Sequence, residues 1–220
     1  MRLSDLPTPA LILDRSALER NLGAMAEAVA RHGVVLRPHL KTAKCLEIAA
    51  LAAPGGGAIT VSTLAEARSF AAAGYRDQIY AVGITPAKLD AVASLNAAGA
   101  SVKVITDDPD TARAIAAHPG AVEALIEIDA GEGRGGVAAE DDTLLFLAAA
   151  LGPRLAGVLT HAGHSYAARD PAGIAGIAET ERAMLVRAAD RLRAAGHPVR
   201  IVSMGSSPTA LHARSLAGVT

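Results

Sequence analysis

The sequence predicts an α/β fold, a (β/α)8 barrel of the TIM type, and two observations carry that prediction. Short β-branched runs alternate with longer Ala- and Leu-rich segments of helical period along the whole 220 residues, the pattern of a parallel sheet covered by crossover helices. A reactive or small residue also follows strand after strand: His39 and Lys41, Ser62 and Thr63, Gly83, Thr106, Arg134, His161 with His164, and Gly205 with Ser206. A closed barrel brings all such strand ends to one mouth. The alternative, a doubly wound open sheet, would use only the ends beside its switch point.

The expected strands are 10–13, 34–38, 58–62, 78–82, 101–106, 122–129, 155–161 and 200–204. Helices are expected at 16–31, 64–73, 86–98, 109–117, 141–151 and 174–195, each carrying apolar residues at helical spacing. Ser62 or Thr63 is placed to cap a helix with Glu66 in its first turn, and Thr85 is expected to cap one with Pro86 at its first position. Gly33, Gly74, Gly99 and Gly196 stand where helices should stop.

Residues 1–220 are expected to form one domain, a size at which a single core suffices. A net charge of -1 gives no reason to expect nucleic acid or an anionic membrane as a partner. No run approaches the roughly 20 apolar residues that span a bilayer, and the charged N-terminus lacks a signal-peptide pattern. A lone Cys45 forms no internal disulfide and suits a reducing, cytoplasmic setting.

The segment RPHLKTAK, 37–44, ends an apolar strand with Lys41 among Arg37, His39 and Lys44. Neighbouring cations favour the neutral amine, which Schiff-base chemistry requires; a loop simply decorated with lysines is the alternative. SMGSSPT, 203–209, offers backbone N–H groups and hydroxyls that could wrap a phosphate, or forms an ordinary turn. THAGHSY, 160–166, supplies His161, His164 and Tyr166 as zinc ligands, a general base, a ring stacked on a cofactor, or plain loop residues.

GEGRGG, 131–136, satisfies a dinucleotide-binding spacing. Its context argues against that use, because the pattern should open a helix early in the fold and the next strand should end in an acid, whereas residues 155–160 end at His161. Arg134 in this loop could instead bind a phenolate or carboxylate, or lie on the surface.

Taken together these segments resemble the fold-type III pyridoxal-phosphate (PLP) enzymes, specifically the D-threonine aldolase and D-serine dehydratase-like group of the alanine racemase N-terminal superfamily. The residues that carry the resemblance are DLPTPALILDRSALERN, LRPHLKTAK, TVSTLAEAR, EIDAGEGRGGV and GSSPT, in order and over nearly the whole chain. It implies that Lys41 forms the Schiff base with PLP, that Arg134 contacts the ring's phenolic oxygen, and that Gly205, Ser206 and Ser207 hold the phosphate. His39 and His161 join the cofactor set, while His164 and Tyr166 face the ring and substrate, His164 as the acid or base. The implied activity is a PLP-dependent lyase acting on small D-configured β-hydroxy amino acids. A non-catalytic PLP-binding protein and an amino-acid racemase are the alternatives.

The sequence departs from the group's pattern at Ala43, where a second histidine is usual. Members of the group also continue past a segment like SLAGVT into a last barrel strand and a β-rich domain bearing the histidine that binds a divalent metal, zinc or manganese. The resemblance therefore implies an incomplete last strand, no metal ligands in this chain, residues 1–14 pairing with that further domain, and a homodimer at full length.

Overall fold

The computed structural model describes residues 2–220. Six strands form one parallel sheet: β1 (Ile59–Val61), β2 (Asp77–Gly83), β3 (Ser101–Thr106), β4 (Glu123–Ile128), β5 (Leu155–Thr160) and β6 (Ile201–Ser203). Their order in space equals their order in sequence. Each pairs in parallel with the next, as in Tyr80 against Val104 and Ile126 against Val158. Helices α1 (Arg15–Ala30), α2 (Leu46–Ala52), α3 (Leu64–Ala72), α4 (Leu89–Ala97), α5 (Pro109–Ala117), α6 (Thr143–Leu151), α7 (Pro171–Ala194) and α8 (Ser207–His212) complete the chain.

The helix starts follow from local chemistry. The side chains of Asp14, Thr63, Asp108 and Asp170 each accept a hydrogen bond from the third backbone N–H of the helix they precede, and Pro109 and Pro171 occupy first-turn positions where no N–H is missed. Thr85 makes no such bond, and its helix opens as a short 3-10 turn, Pro86–Lys88, before α4. Gly74 and Gly196 stop α3 and α7 at φ of 97° and 85°, a region a side chain resists.

Alternation along the strands divides the sheet into two apolar faces. Val104, Ile126, Ile128 and Val158 join the helix side chains Phe70, Val92, Ile115, Leu144, Leu147 and Leu185 in the main core. Ile79, Ile105, Leu125, Ala156 and Leu159 form a second cluster. Gly157 lets β6 come close: a Cβ there would lie 1.9 Å from the Ile201 carbonyl oxygen.

The expected eight strands are therefore six. Segment 34–38 makes only a bridge at its end, His39 against Thr60, and the Arg37 side chain reaches the Ile59 carbonyl and Asp77. Segment 10–13 pairs with nothing among the described residues, and Leu11, Ile12 and Leu13 are exposed. No helix among the described residues is long and apolar enough to cross a membrane.

Candidate functional site

The segment before α2 is laid beside the end of β1. Thr60 donates its N–H to the Pro38 carbonyl at 2.9 Å and accepts from Leu40 N–H at 3.0 Å, and the following turn closes with Lys44 N–H on the Leu40 carbonyl at 2.9 Å. Lys44 sits at φ 48°, the lone non-glycine residue at positive φ among those described, and its Nζ lies 3.2 Å from Oε1 of Glu66. Glu66 is buried and also accepts the Ser62 N–H at 2.8 Å. The two lysines of the motif are thereby sorted: Lys44 is held in an ion pair, while Lys41 is exposed on the turn.

The crowd of cations expected around Lys41 does not assemble. Arg37 is bound to Asp77 at the opposite, N-terminal end of β2, with Oδ2 at 2.9 Å, and Lys44 is bound to Glu66. His39 is the member that stays, accepting the Lys41 N–H on Nδ1 at 3.3 Å. Burial, then the Lys41 charge, push the His39 imidazole down to about 4, with Glu66 pulling the other way. A ring that accepts on Nδ1 is the neutral tautomer protonated on Nε2.

The Gly-rich loop after β4 closes on itself. Asp129 Oδ1 accepts the N–H groups of Gly131 at 2.9 Å and Gly133 at 3.1 Å, an Asx-type turn. Asp107 takes the Gly136 N–H at 2.7 Å, and Val137 bridges back to Ile128. The next helix, α6, starts only at Thr143, so the loop is not a dinucleotide-binding turn. Arg134 projects from its tip with an exposed guanidinium, 3.7 Å from Glu132. Glu127, beneath the loop, is raised by burial and by Asp107.

The loop after β5 touches its neighbours on both sides. Gly163 donates its N–H to Glu132 of the Gly-rich loop at 3.0 Å. His161 Nδ1 lies 3.1 Å from the Gly205 carbonyl after β6. Ser165 and Ser206 hydroxyls meet at 2.7 Å. His164 has its Nδ1 buried without a hydrogen-bond partner, and Tyr166 is exposed. His161 and His164 belong to no group of three or more His, Cys, Asp or Glu side chains able to hold a metal ion among the described residues.

The GSSPT segment, expected as a turn, is the start of α8. Ser206 is its N-cap in a reciprocal capping box with Thr209, so both the Ser206 hydroxyl and its N–H are used inside the protein, while Ser207 is exposed. Beneath it lies Glu181 of α7, fully buried, whose Oε1 accepts the N–H of Ala162 at 2.9 Å and of Gly205 at 3.2 Å. Sequence reading singled out neither Glu66 as a tether of the lysine turn nor Glu181. The available signal for Glu181 was its spacing from Ala178 and Leu185, three and four residues away on the helix's buried face.

The loops after β4, β5 and β6 thus leave the C-terminal ends of parallel strands and are stitched to one another, with the His39–Lys41 turn laid beside β1 of the same sheet, the arrangement of a barrel mouth. The alanine racemase, N-terminal domain family matches residues 13–219. The chain belongs to that family. Its six-stranded sheet is the alanine racemase N-terminal fold in the form of an incomplete barrel. Among family relatives, D-threo-3-hydroxyaspartate dehydratase from Delftia sp. (strain HT23) is 45% identical over 227 residues, covering 99% of this chain and 60% of the relative. D-threonine aldolase from Arthrobacter sp. is 37% identical over 162 residues, covering 71% of this chain and 42% of the relative. The solved Delftia dehydratase superposes with a TM-score of 0.94 at 45% identity, over 98% of this chain and 59% of that one. The chain spans about 60% of the length of the Delftia enzyme.

Proposed function

We propose that this chain is the PLP-binding part of a lyase that acts on D-configured β-hydroxy amino acids, with Lys41 as the amine that bonds the cofactor's aldehyde. The observation that carries the reading is the stitched set of strand-end loops, His161 on Gly205, Ser165 on Ser206 and the Arg134 loop on Gly163, with the His39–Lys41 turn laid beside β1 of the same sheet. Relatives named as dehydratase and aldolase of hydroxy-D-amino acids supply the substrate class.

The donor chemistry fits PLP. A primary amine free of any ion pair among the described residues, an exposed guanidinium, and an exposed hydroxyl at the start of α8 correspond to its aldehyde, phenolic oxygen and phosphate. Gly205 and Ser206 shape the phosphate turn from within, and Ser207 presents the contact. When bound, PLP supplies the electron sink that stabilises negative charge at the substrate's Cα.

The chain's own residues bind, orient and move protons. Arg134 holds the phenolic oxygen; His39 and His161, anchored through Nδ1, line the mouth. His164 takes or returns a proton at the β-hydroxyl, and Tyr166 closes over the substrate side. The solved structures include a variant of the Delftia dehydratase in a metal-free form. No cluster of the described residues suits a divalent ion, so no role is assigned to one in this chain.

The test is direct. PLP mixed with the protein should be fixed by borohydride onto the peptide bearing Lys41, and Lys41→Ala should abolish the adduct. D-threo-3-hydroxyaspartate, D-threonine and D-serine should then perturb the cofactor's visible absorption, with an α-keto acid and ammonia marking dehydration or glycine and an aldehyde marking cleavage. An adduct with no response to any amino acid would support a PLP-binding protein without catalysis. Release of the L-enantiomer would support a racemase, and absence of the Lys41 adduct would defeat the proposal.

A further inference from the structure

Glu181 lies halfway along a helix of 24 residues, on the face it shares with Ala178 and Leu185, with 0% of its surface exposed. A carboxyl group buried in such surroundings is costly unless its position is used. Its Oε1 receives two N–H groups from equivalent places in adjoining units: Ala162, two residues after β5, and Gly205, two residues after β6. Its Oε2 is buried with no partner of good geometry, beside the Thr209 hydroxyl of the α8 capping box.

The consequence falls on Gly205. Its N–H points down to Glu181 and its carbonyl is taken by His161 Nδ1 at 3.1 Å, so the peptide groups on either side of its Cα are held at φ 128° by side chains from α7 and from the β5 loop. A glycine is needed at that φ, and a glycine left untied would also be the most mobile point of the turn. Ser206 is secured separately by Ser165 and Thr209. Ser207, the exposed member, inherits its direction from these anchors.

We infer that Glu181 is a positioning residue for the Gly205–Ser207 turn: it touches neither cofactor nor substrate, and its buried carboxyl sets how well the turn receives a phosphoryl group. The inference rests on the PLP reading above. Burial pushes the Glu181 carboxyl up while Thr209 and the two N–H groups oppose that rise. Because both N–H groups meet the same oxygen, a glutamine that keeps that oxygen in place should serve nearly as well.

The experiment compares PLP with pyridoxal, which has the same aldehyde and ring but no phosphate, by titration followed in the visible spectrum, with inorganic phosphate as competitor. In the wild type PLP should bind more tightly than pyridoxal, and phosphate should compete with PLP. Glu181→Leu removes the oxygen that accepts both N–H groups and should weaken PLP by about 10-fold or more while leaving pyridoxal within about 3-fold, the range expected for losing hydrogen bonds to an acid. Glu181→Gln should restore most of the PLP affinity. Glu181→Asp, drawn back by one methylene, should show the same selective loss and keeps the test decisive if the Leu variant does not fold. Equal weakening of PLP and pyridoxal in these variants, or an unchanged ratio of their affinities, would overturn the inference while leaving the cofactor reading intact. A wild type that binds PLP no better than pyridoxal would overturn the phosphate role of the turn itself.

Discussion

His161 and Gly205 are joined across the β5–β6 boundary by a ring nitrogen to carbonyl contact of 3.1 Å. A carbonyl only accepts, so Nδ1 carries the proton and, in the neutral ring, Nε2 is left with a lone pair facing away from the tie. Nitrogen-15 chemical shifts of the neutral rings should report the Nδ1-protonated tautomer for His161 and the opposite one for His39, whose Nδ1 accepts. Finding the same tautomer for both rings would contradict these two hydrogen bonds.

The depressed basicity of His39 makes a prediction about pH. Its ordinary value of 6.5 applies to the unfolded chain and about 4 to the folded one, so between those values the unfolded chain holds the extra proton. The stability linked to His39 is therefore complete above pH 6.5 and lost as pH falls towards 4. Urea midpoints of wild type and His39→Gln, measured at pH 7.5 and pH 5, should show a smaller acid-induced drop in the variant. Equal drops would mean that the His39 ring titrates as it does in the unfolded chain.

Two glycines should respond to alanine with opposite signs. At Gly157 the new Cβ would meet the Ile201 carbonyl oxygen at 1.9 Å, forcing β5 and β6 apart at a cost of about 3 kcal/mol or more. Gly176, inside α7, has nothing within 4 Å of its would-be Cβ, and Gly176→Ala should stabilise by about 0.5–1 kcal/mol through helix propensity. Denaturant titration of the two variants measures both.

Glu66→Leu should cost about 1 kcal/mol, because the part-buried Ser62 N–H loses its acceptor while the exposed Lys44 ammonium is rehydrated. It frees Lys44 and the Ser62 N–H together. Because the tether holds the turn that carries Lys41, limited proteolysis between His39 and Lys44 should accelerate more than cleavage elsewhere.

Much of this was legible because strand and helix periods are local. Helix 109–117 is realised to the residue, and 64–73 to within one, since Thr63, Asp108 and Pro109 mark starts through side chains close in sequence. The α8 start was also written in Ser206, Pro208 and Thr209, yet its small and hydroxylated residues suit a turn equally well. Segment 34–38 misled because a β-branched run signals extended chain but not how many of its backbone groups will find partners, here only those around His39 against Thr60. At the site, the reactive residues at strand ends were readable, whereas the supports were not. Glu66 and Glu181 look like ordinary helix-surface acids until burial and their backbone partners are known.

The strand order β1 to β6 also bears on how the chain acquires its shape. When each strand's partner is the one synthesised just before it, every closure spans a single strand–helix–strand unit, and the entropy lost in closing a loop grows only with the logarithm of its length. A growing sheet of this kind can lengthen one unit at a time as the polypeptide leaves the ribosome. Among the described residues, Gly205 to Ser207 leave the ribosome after the β5 loop that ties to them, so that corner of the mouth can form only once both units are made.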